Sequence, residues 1–309
     1  MLAVFSIAMP VFALILTGWL AGRTRLLGAD STEAMNLFVV WLALPAVLFR
    51  AMAQIHPADL LNVGLLASFG LGIAVPFVVS LFWSRRQGVA LGNSAIQALS
   101  ATYCNVGYMG IPLCLMAFGE ASVVPGVITM VITACVQFGA AIVLIEIDRP
   151  GQIDLWRTIR RIAGTLACNP LLISPIAGLL VAMVGLSLPL AIDRFLVLLG
   201  GAATPCALVA TGLMLGETTE RFRPALVARL VALKLLLQPA IAWVVAFQLL
   251  TLPPAWGETA VIMSALPTGA GAFILAKLYG REAASTSGAV LVSTILSFAT
   301  LSLLLAWLI

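Results

Sequence analysis

The sequence predicts an all-α integral membrane protein: ten transmembrane helices arranged as two inverted five-helix repeats. Three observations carry this expectation. Of 309 residues, 62% are hydrophobic and only 9% charged, whereas a soluble domain carries about 25% charged residues. Ten apolar runs are long enough to cross a bilayer as helices. The basic residues also fall almost wholly in alternate connections between those runs.

The first five runs are 1–20, 33–53, 60–82, 93–118 and 122–147, and the second five are 169–188, 195–216, 225–252, 258–279 and 283–308. Helix is the expected form, because each unpaired backbone group costs several kcal/mol in hydrocarbon. The expected boundaries are a first repeat over 1–147, a polar cytoplasmic connection over 148–168 and a second repeat over 169–309. The first charge is Arg23, so residues 1–22 read as a span and not as a cleavable signal.

Orientation is read from lysine and arginine placement. One set of connections holds Arg23, Arg25, Arg85, Arg86, Arg149, Arg157, Arg160, Arg161, Arg221, Arg223, Arg229, Lys277 and Arg281, and the other holds Arg50 and Arg194. The basic set is expected in the cytoplasm, which puts both termini outside and the chain in the inner (plasma) membrane. The net charge of +4 therefore belongs to short loops and does not signal nucleic acid. His56 is the single histidine and precedes Pro57 in a short loop. The five cysteines form no CxxC pair and read as small packing residues. No metal cluster, nucleophile–base pair or cofactor loop stands out, so neither an enzyme nor a cofactor is expected.

An odd number of helices per half inverts the second half. Pro10, Gly18 and Pro45 match Pro170, Gly178 and Pro205 at a common offset of 160. Inverted repeats recur in secondary transporters. Adding 160 to Asn105 gives Ala265, so two unusual segments also correspond. One is Tyr103-Cys104-Asn105-Val106-Gly107-Tyr108-Met109-Gly110-Ile111-Pro112-Leu113 and the other is Ser264-Ala265-Leu266-Pro267-Thr268-Gly269-Ala270-Gly271-Ala272-Phe273. Each puts two glycines and a proline inside a span, which predicts breaks within Gly107–Pro112 and Pro267–Gly271. Pro112 suits the first position of a second half-helix, whose free amides would attract an anion. Carbonyls near Tyr103 and Cys104 would present the opposite sign. Broken helices in matched positions point to a transporter's binding site.

The segment Asn105 through Leu113 resembles the helix-4 motif of the auxin efflux carrier (PIN-like) family, as a bacterial member. Pro267 through Phe273, with Ala276 and Tyr279-Gly280, resembles its helix-9 motif, and Leu44-Pro45-Ala46 with Leu48-Phe49-Arg50 its helix 2. The resemblance implies a fold similar to sodium/proton antiporters and bile-acid symporters. Helices 4 and 9 would cross at their breaks. Helices 1, 2, 6 and 7 would form a scaffold, and helices 3–5 and 8–10 a transport domain moving like an elevator. The implied substrate is a small organic anion of the carboxylate class. Asn105, Gly107, Tyr108, Gly110, Pro112, Pro267, Thr268, Gly269 and Gly271 would form the site. Gln137 would join it from helix 5, its other reading being a helix–helix hydrogen bond of about 0.6–2 kcal/mol.

Lys234 lies nine residues into its run, roughly 14 Å deep, and needs a partner: a broken-helix carbonyl, the substrate or a carboxylate. Arg50 could bind a substrate carboxylate or reach the headgroups. Glu146 and Glu258 lie near helix ends, so coupling stays open among facilitated flux, sodium and protons. The pairs Gly18/Gly22 and Gly212/Gly216 fit close helix packing, within the bundle or in a homodimer. The other functional readings are a sodium symporter of bile-acid type and a ligand sensor that does not transport.

Overall fold

A computed structural model describes residues 2–54, 62–148, 164, 168–216 and 222–308, with side chains from Met9 onward, Ala29 excepted. His56, Pro57, Arg149, Arg157, Arg160, Arg161 and Arg221, and nearly all of the connection expected over 148–168, lie outside the described residues. The helices are α1 (Leu2–Arg23), α2 (Asp30–Ala53), α3 (Val63–Arg86), α4 (Leu91–Ser100), α5 (Val106–Phe118), α6 (Glu120–Ile147), α7 (Pro170–Met183), α8 (Leu190–Leu215), α9 (Pro224–Leu249), α10 (Pro254–Ala265), α11 (Ala270–Leu278) and α12 (Ala283–Leu308). Six of them (α2, α3, α6, α8, α9 and α12) are long and apolar enough to cross a membrane. Among the described residues no strand occurs; there is one isolated antiparallel bridge, between Cys104 and Thr268.

The break expected in helix 9 lies at Leu266–Gly269, between α10 and α11. The break in helix 4 is displaced from its expected place. It occupies Ala101–Asn105, whereas Gly107–Pro112 is helical: a π turn over Val106–Gly110 leads into an α-helix from Ile111. Pro112 therefore sits inside α5 and does not open it. The reason is local. A proline ring collides with the carbonyl four residues back and removes one donor, and a wider π turn moves that carbonyl aside. The same device precedes Pro45 (π turn Val39–Ala43) and Pro239 (π turn Leu233–Leu237). There the Leu44 amide reaches back five residues to the Val39 carbonyl, and the Gln238 amide to that of Leu233.

The chain divides into two compact units. The first comprises Met1–Asn62, Gly107–Ile128 and Thr165–Thr218. Its helices meet at glycines. A Cβ on Gly18 would overlap the Val209 carbonyl oxygen, one on Gly212 that of Ile15, and one on Gly178 that of Phe49. The glycines thus serve packing inside one chain. Gly18 with Val209 and Gly178 with Phe49 interchange when 160 is added to or subtracted from each number. Around them Val39, Ala43, Leu44, Ala203 and Ala207 form a buried cluster, against which Tyr108 packs.

The second unit comprises Val63–Val106, Thr129–Gly164 and Thr219–Ile309. Its core includes Ile96, Leu99, Ala141, Ile145, Ala272 and Leu275. At one end Asp148 accepts from the Leu91 amide at 3.1 Å and from Arg281 Nη1 at 2.6 Å, joining the start of α4 to the connection after α11. Burial by itself would raise the Asp148 carboxyl. The Arg281 hydrogen bond, the Gly92 and Leu91 amides and the Arg281 charge outweigh it and hold the group below its usual range.

Gly178→Ala is expected to cost about 1–3 kcal/mol by overpacking, read as a lower melting temperature in detergent. Gly139→Ala, where an added Cβ meets nothing within 4 Å, is the neutral control. A carboxylate held low in the fold stabilises above its unfolded pKa and loses that contribution as pH falls through the folded value. The stability gap between the wild type and Asp148→Asn should therefore be full at neutral pH and close below about pH 4.

Candidate functional site

Two breaks inside one apolar unit leave helix ends with no water to satisfy them. The second unit answers by pairing the breaks with each other. The Asn105 amide donates to the Pro267 carbonyl at 3.0 Å, and the Gly269 amide to the Tyr103 carbonyl at 2.8 Å. The two bonds flank the Cys104–Thr268 bridge and interchange under an offset of 164. Asn105 thus corresponds to Gly269 here, about one helical turn beyond the Ala265 expected from the sequence offset. The Tyr103 carbonyl, one of those expected to present negative charge at the break, is used in this bridge.

The carbonyl ends of the first half-helices are matched in the same way. Thr268 Oγ1 donates to the Ser100 carbonyl at 2.8 Å, and Lys234 Nζ to the Ser264 carbonyl at 2.8 Å. These carbonyls are also related by 164. Lys234 is fully buried, and the partner it needed proves to be a broken-helix carbonyl at the negative end of α10. Its ammonium also donates to Cys104 Sγ at 3.3 Å, and Gln238 Nε2 reaches the same sulfur at 3.2 Å. Cys104 is thus a hydrogen-bond acceptor at the crossing, where composition reads it as packing. Gln238 was missed altogether. Its signal was available, since it stands four residues after Lys234 and so near it on the helix surface.

The remaining expected residues divide between the units. Asn105, Gln137, Lys234, Pro267, Thr268, Gly269 and Gly271 belong to the second. Gln137 Nε2 donates to Thr102 Oγ1 at 2.6 Å, leaving its own Oε1 buried and without a partner among the described residues. Asn105 is half-buried, and none of the bonds above uses its carboxamide. Gly271 lies under the Tyr103 ring, where a Cβ would come within 2.6 Å of ring atoms; close approach explains this glycine better than helix breaking. Gly269, before α11, supplies no side-chain cap to that helix. Gly107, Tyr108, Gly110 and Pro112 belong to the first unit, on α5. Arg50 is there too, with Nε on Asp193 Oδ1 at 2.7 Å and Nη1 on Glu120 Oε1 at 3.1 Å. Both readings of Arg50 from sequence left out these two carboxylates, which balance its charge.

The Thr268 hydroxyl offers a direct test of the crossing. Thr268→Val keeps the shape but strands the Ser100 carbonyl, an expected loss of about 1–3 kcal/mol in unfolding free energy. Thr268→Ser should retain most of the wild-type stability in the same denaturation assay.

Comparison with known proteins places the chain among membrane transporters. A family model described as "Membrane transport protein" matches residues 3–305. A protein of Rhizobium meliloti (strain 1021) named "Putative malonate transporter" is 30% identical over 314 residues, covering 99% of this chain and 96% of its own. An "Uncharacterized transporter" of Methanothermobacter thermautotrophicus is 24% identical, covering 96% and 95%. The Escherichia coli (strain K12) transporter YfdV is 26% identical over 75% of this chain and 74% of its own. Transporters, not enzymes, make up these relatives. The chain is a multi-pass membrane protein that belongs to the membrane transport protein family, the PIN-like family of auxin efflux carriers and their bacterial relatives.

Proposed function

We propose that this protein is a secondary carrier for a small organic anion of the carboxylate class, binding it where interrupted helices 4 and 9 cross. The observation that carries the reading is the paired break at Cys104 and Thr268, within a member of a transporter family. The helix α11 starts beside these breaks, and a helix start offers backbone amides and partial positive charge to an anion. Asn105 and the uncommitted oxygen of Gln137 add polar groups from side chains. Arg50, its charge already balanced, is a weaker candidate than these.

Counting α4 with α5 and α10 with α11 as single interrupted spans makes ten. Two sets of interchanging contacts support the inverted repeat: the glycine–carbonyl pairs at offset 160 and the crossing bonds at offset 164. The division of the chain into two compact units supports an elevator-type cycle in which one body moves against the other. Helices 1, 2, 6 and 7 lie in one unit, which also takes in residues 107–128. The positive-inside pattern favours an inner-membrane location with both termini outside the cytoplasm.

The test is uptake by purified protein in liposomes. The name of the Rhizobium relative makes malonate the first substrate to offer, with other mono- and dicarboxylates after it. Saturable uptake of at least one is expected; none across the panel, with folded protein, overturns the reading. Runs with and without sodium or proton gradients separate facilitated from coupled transport. Asn105→Ala should lower transport at least tenfold, about 1.4 kcal/mol, with melting behaviour unchanged. Normal uptake by that variant removes Asn105 from the site.

A further inference from the structure

Away from the crossing, the second unit carries a groove of about 880 Å³ along α9, with arginine at one end. Arg229 donates from Nη2 to Gln97 Oε1 at 2.8 Å and to Ser84 Oγ at 3.0 Å, and from Nη1 to Gln87 Oε1 at 3.1 Å. Its guanidinium carbon stands 5.4 Å from the centre of the Trp83 ring. None of these partners is a carboxylate. The nearby acid, Glu282, is already paired with Arg223 and bonded by Gln97. Among the described residues no carboxylate pairs with Arg229, so its positive charge stands unmatched there in a fixed place, and its Nε is buried without a partner among them. Arg85 and Arg86, ending α3, add charge of the same sign at this end of the unit.

Past Arg229 the lining turns apolar, through Ala232, Leu233, Leu236 and Leu237 to Ala240. Ala240 is eleven residues past Arg229, roughly 16 Å along the helix at 1.5 Å per residue. That is about the depth of one leaflet, since the hydrocarbon core is about 30 Å thick. The groove opens outward, with Trp83 50% and Leu236 62% exposed. A soluble anion would use only its mouth, and a neutral hydrocarbon only its floor. A molecule with an anionic head and an acyl chain uses both, and tryptophan at the mouth suits the headgroup level.

We propose that this groove binds a phospholipid with an anionic headgroup, its phosphate-bearing head at Arg229 and one acyl chain along α9 toward Ala240. The inference needs only that the chain lies in a membrane, so it stands or falls apart from the transport reading.

The experiment adds phosphatidylglycerol, phosphatidylcholine of the same chains, or glycerol phosphate to the whole purified protein in mild detergent. Melting temperature and lipid retention in native mass spectrometry are the readouts. Phosphatidylglycerol should stabilise more than phosphatidylcholine and be retained about fivefold better, the preference expected of one basic residue near the headgroup. Arg229→Gln should abolish the preference. Because Arg229 also ties α3 to α9, a second variant guards against misfolding. Ala232→Trp fills the exposed groove floor and leaves the arginine in place, and it should lose retention too. Equal response to both lipids, a full response to glycerol phosphate, or unchanged retention in Ala232→Trp overturns the proposal.

Discussion

Everything in the second unit depends on how broken helices are satisfied without water. Each interruption frees amides and carbonyls, and in hydrocarbon each unpaired group costs several kcal/mol. The protein meets this by setting one break against the other. The Asn105 and Gly269 amides exchange bonds with the Pro267 and Tyr103 carbonyls, and side chains cover what the backbone leaves. Thr268 takes the Ser100 carbonyl, and Lys234 takes that of Ser264. The second case is the more demanding, because a buried ammonium loses its water. It recovers part of that loss from the negative end of α10 and from the Cys104 sulfur. The polar residues at the crossing are thus first of all structural necessities. Once those necessities are met, the Thr268 hydroxyl is committed to the Ser100 carbonyl, while the Asn105 carboxamide takes no part in the bonds of the crossing.

The first unit answers a different constraint, since helices in lipid gain no hydrophobic drive toward one another and must associate through close contact. Gly18, Gly178 and Gly212 bring backbones together at carbonyl oxygens of the facing helix. Arg50 adds a polar tie through Asp193 and Glu120. Both units use close contact at glycines, and the second adds the hydrogen-bonded crossing.

Much of this was legible in the sequence. Apolar runs and arginine placement locate the helices, because lipid leaves few alternatives. Glycine and proline flag both interrupted segments, because few other residues disrupt a helix there. The exact break in helix 4 was not legible. Pro112 looks like a helix start, yet a π turn absorbs it, and the chain leaves helix at Ala101–Asn105, where a partner segment is available. That partner is about 160 residues away, and local pattern carries no trace of it. For the same reason Cys104 reads as apolar; only the arrival of Lys234 and Gln238 from α9 makes its sulfur an acceptor. Arg50 shows the limit in reverse. A lone arginine near a helix end invites a ligand, and the sequence carries no sign that carboxylates from residues 120 and 193 reach it.

The π turns before Pro45, Pro112 and Pro239 change the angular bearing of the helix downstream of each. Each holds about one residue more than an α turn, and one residue is about 100° of azimuth. A helical wheel drawn through α9 on a 3.6-residue period therefore points its two ends in the wrong relative directions. Hydrophobic periodicity summed over such a helix blurs, even though each half is ordered. Removing a single residue from Leu233–Leu237 would restore the α phase, swing the downstream face by the same angle and bring the Pro239 ring back against a carbonyl. Length inside these short turns is a compass setting for the helix beyond them.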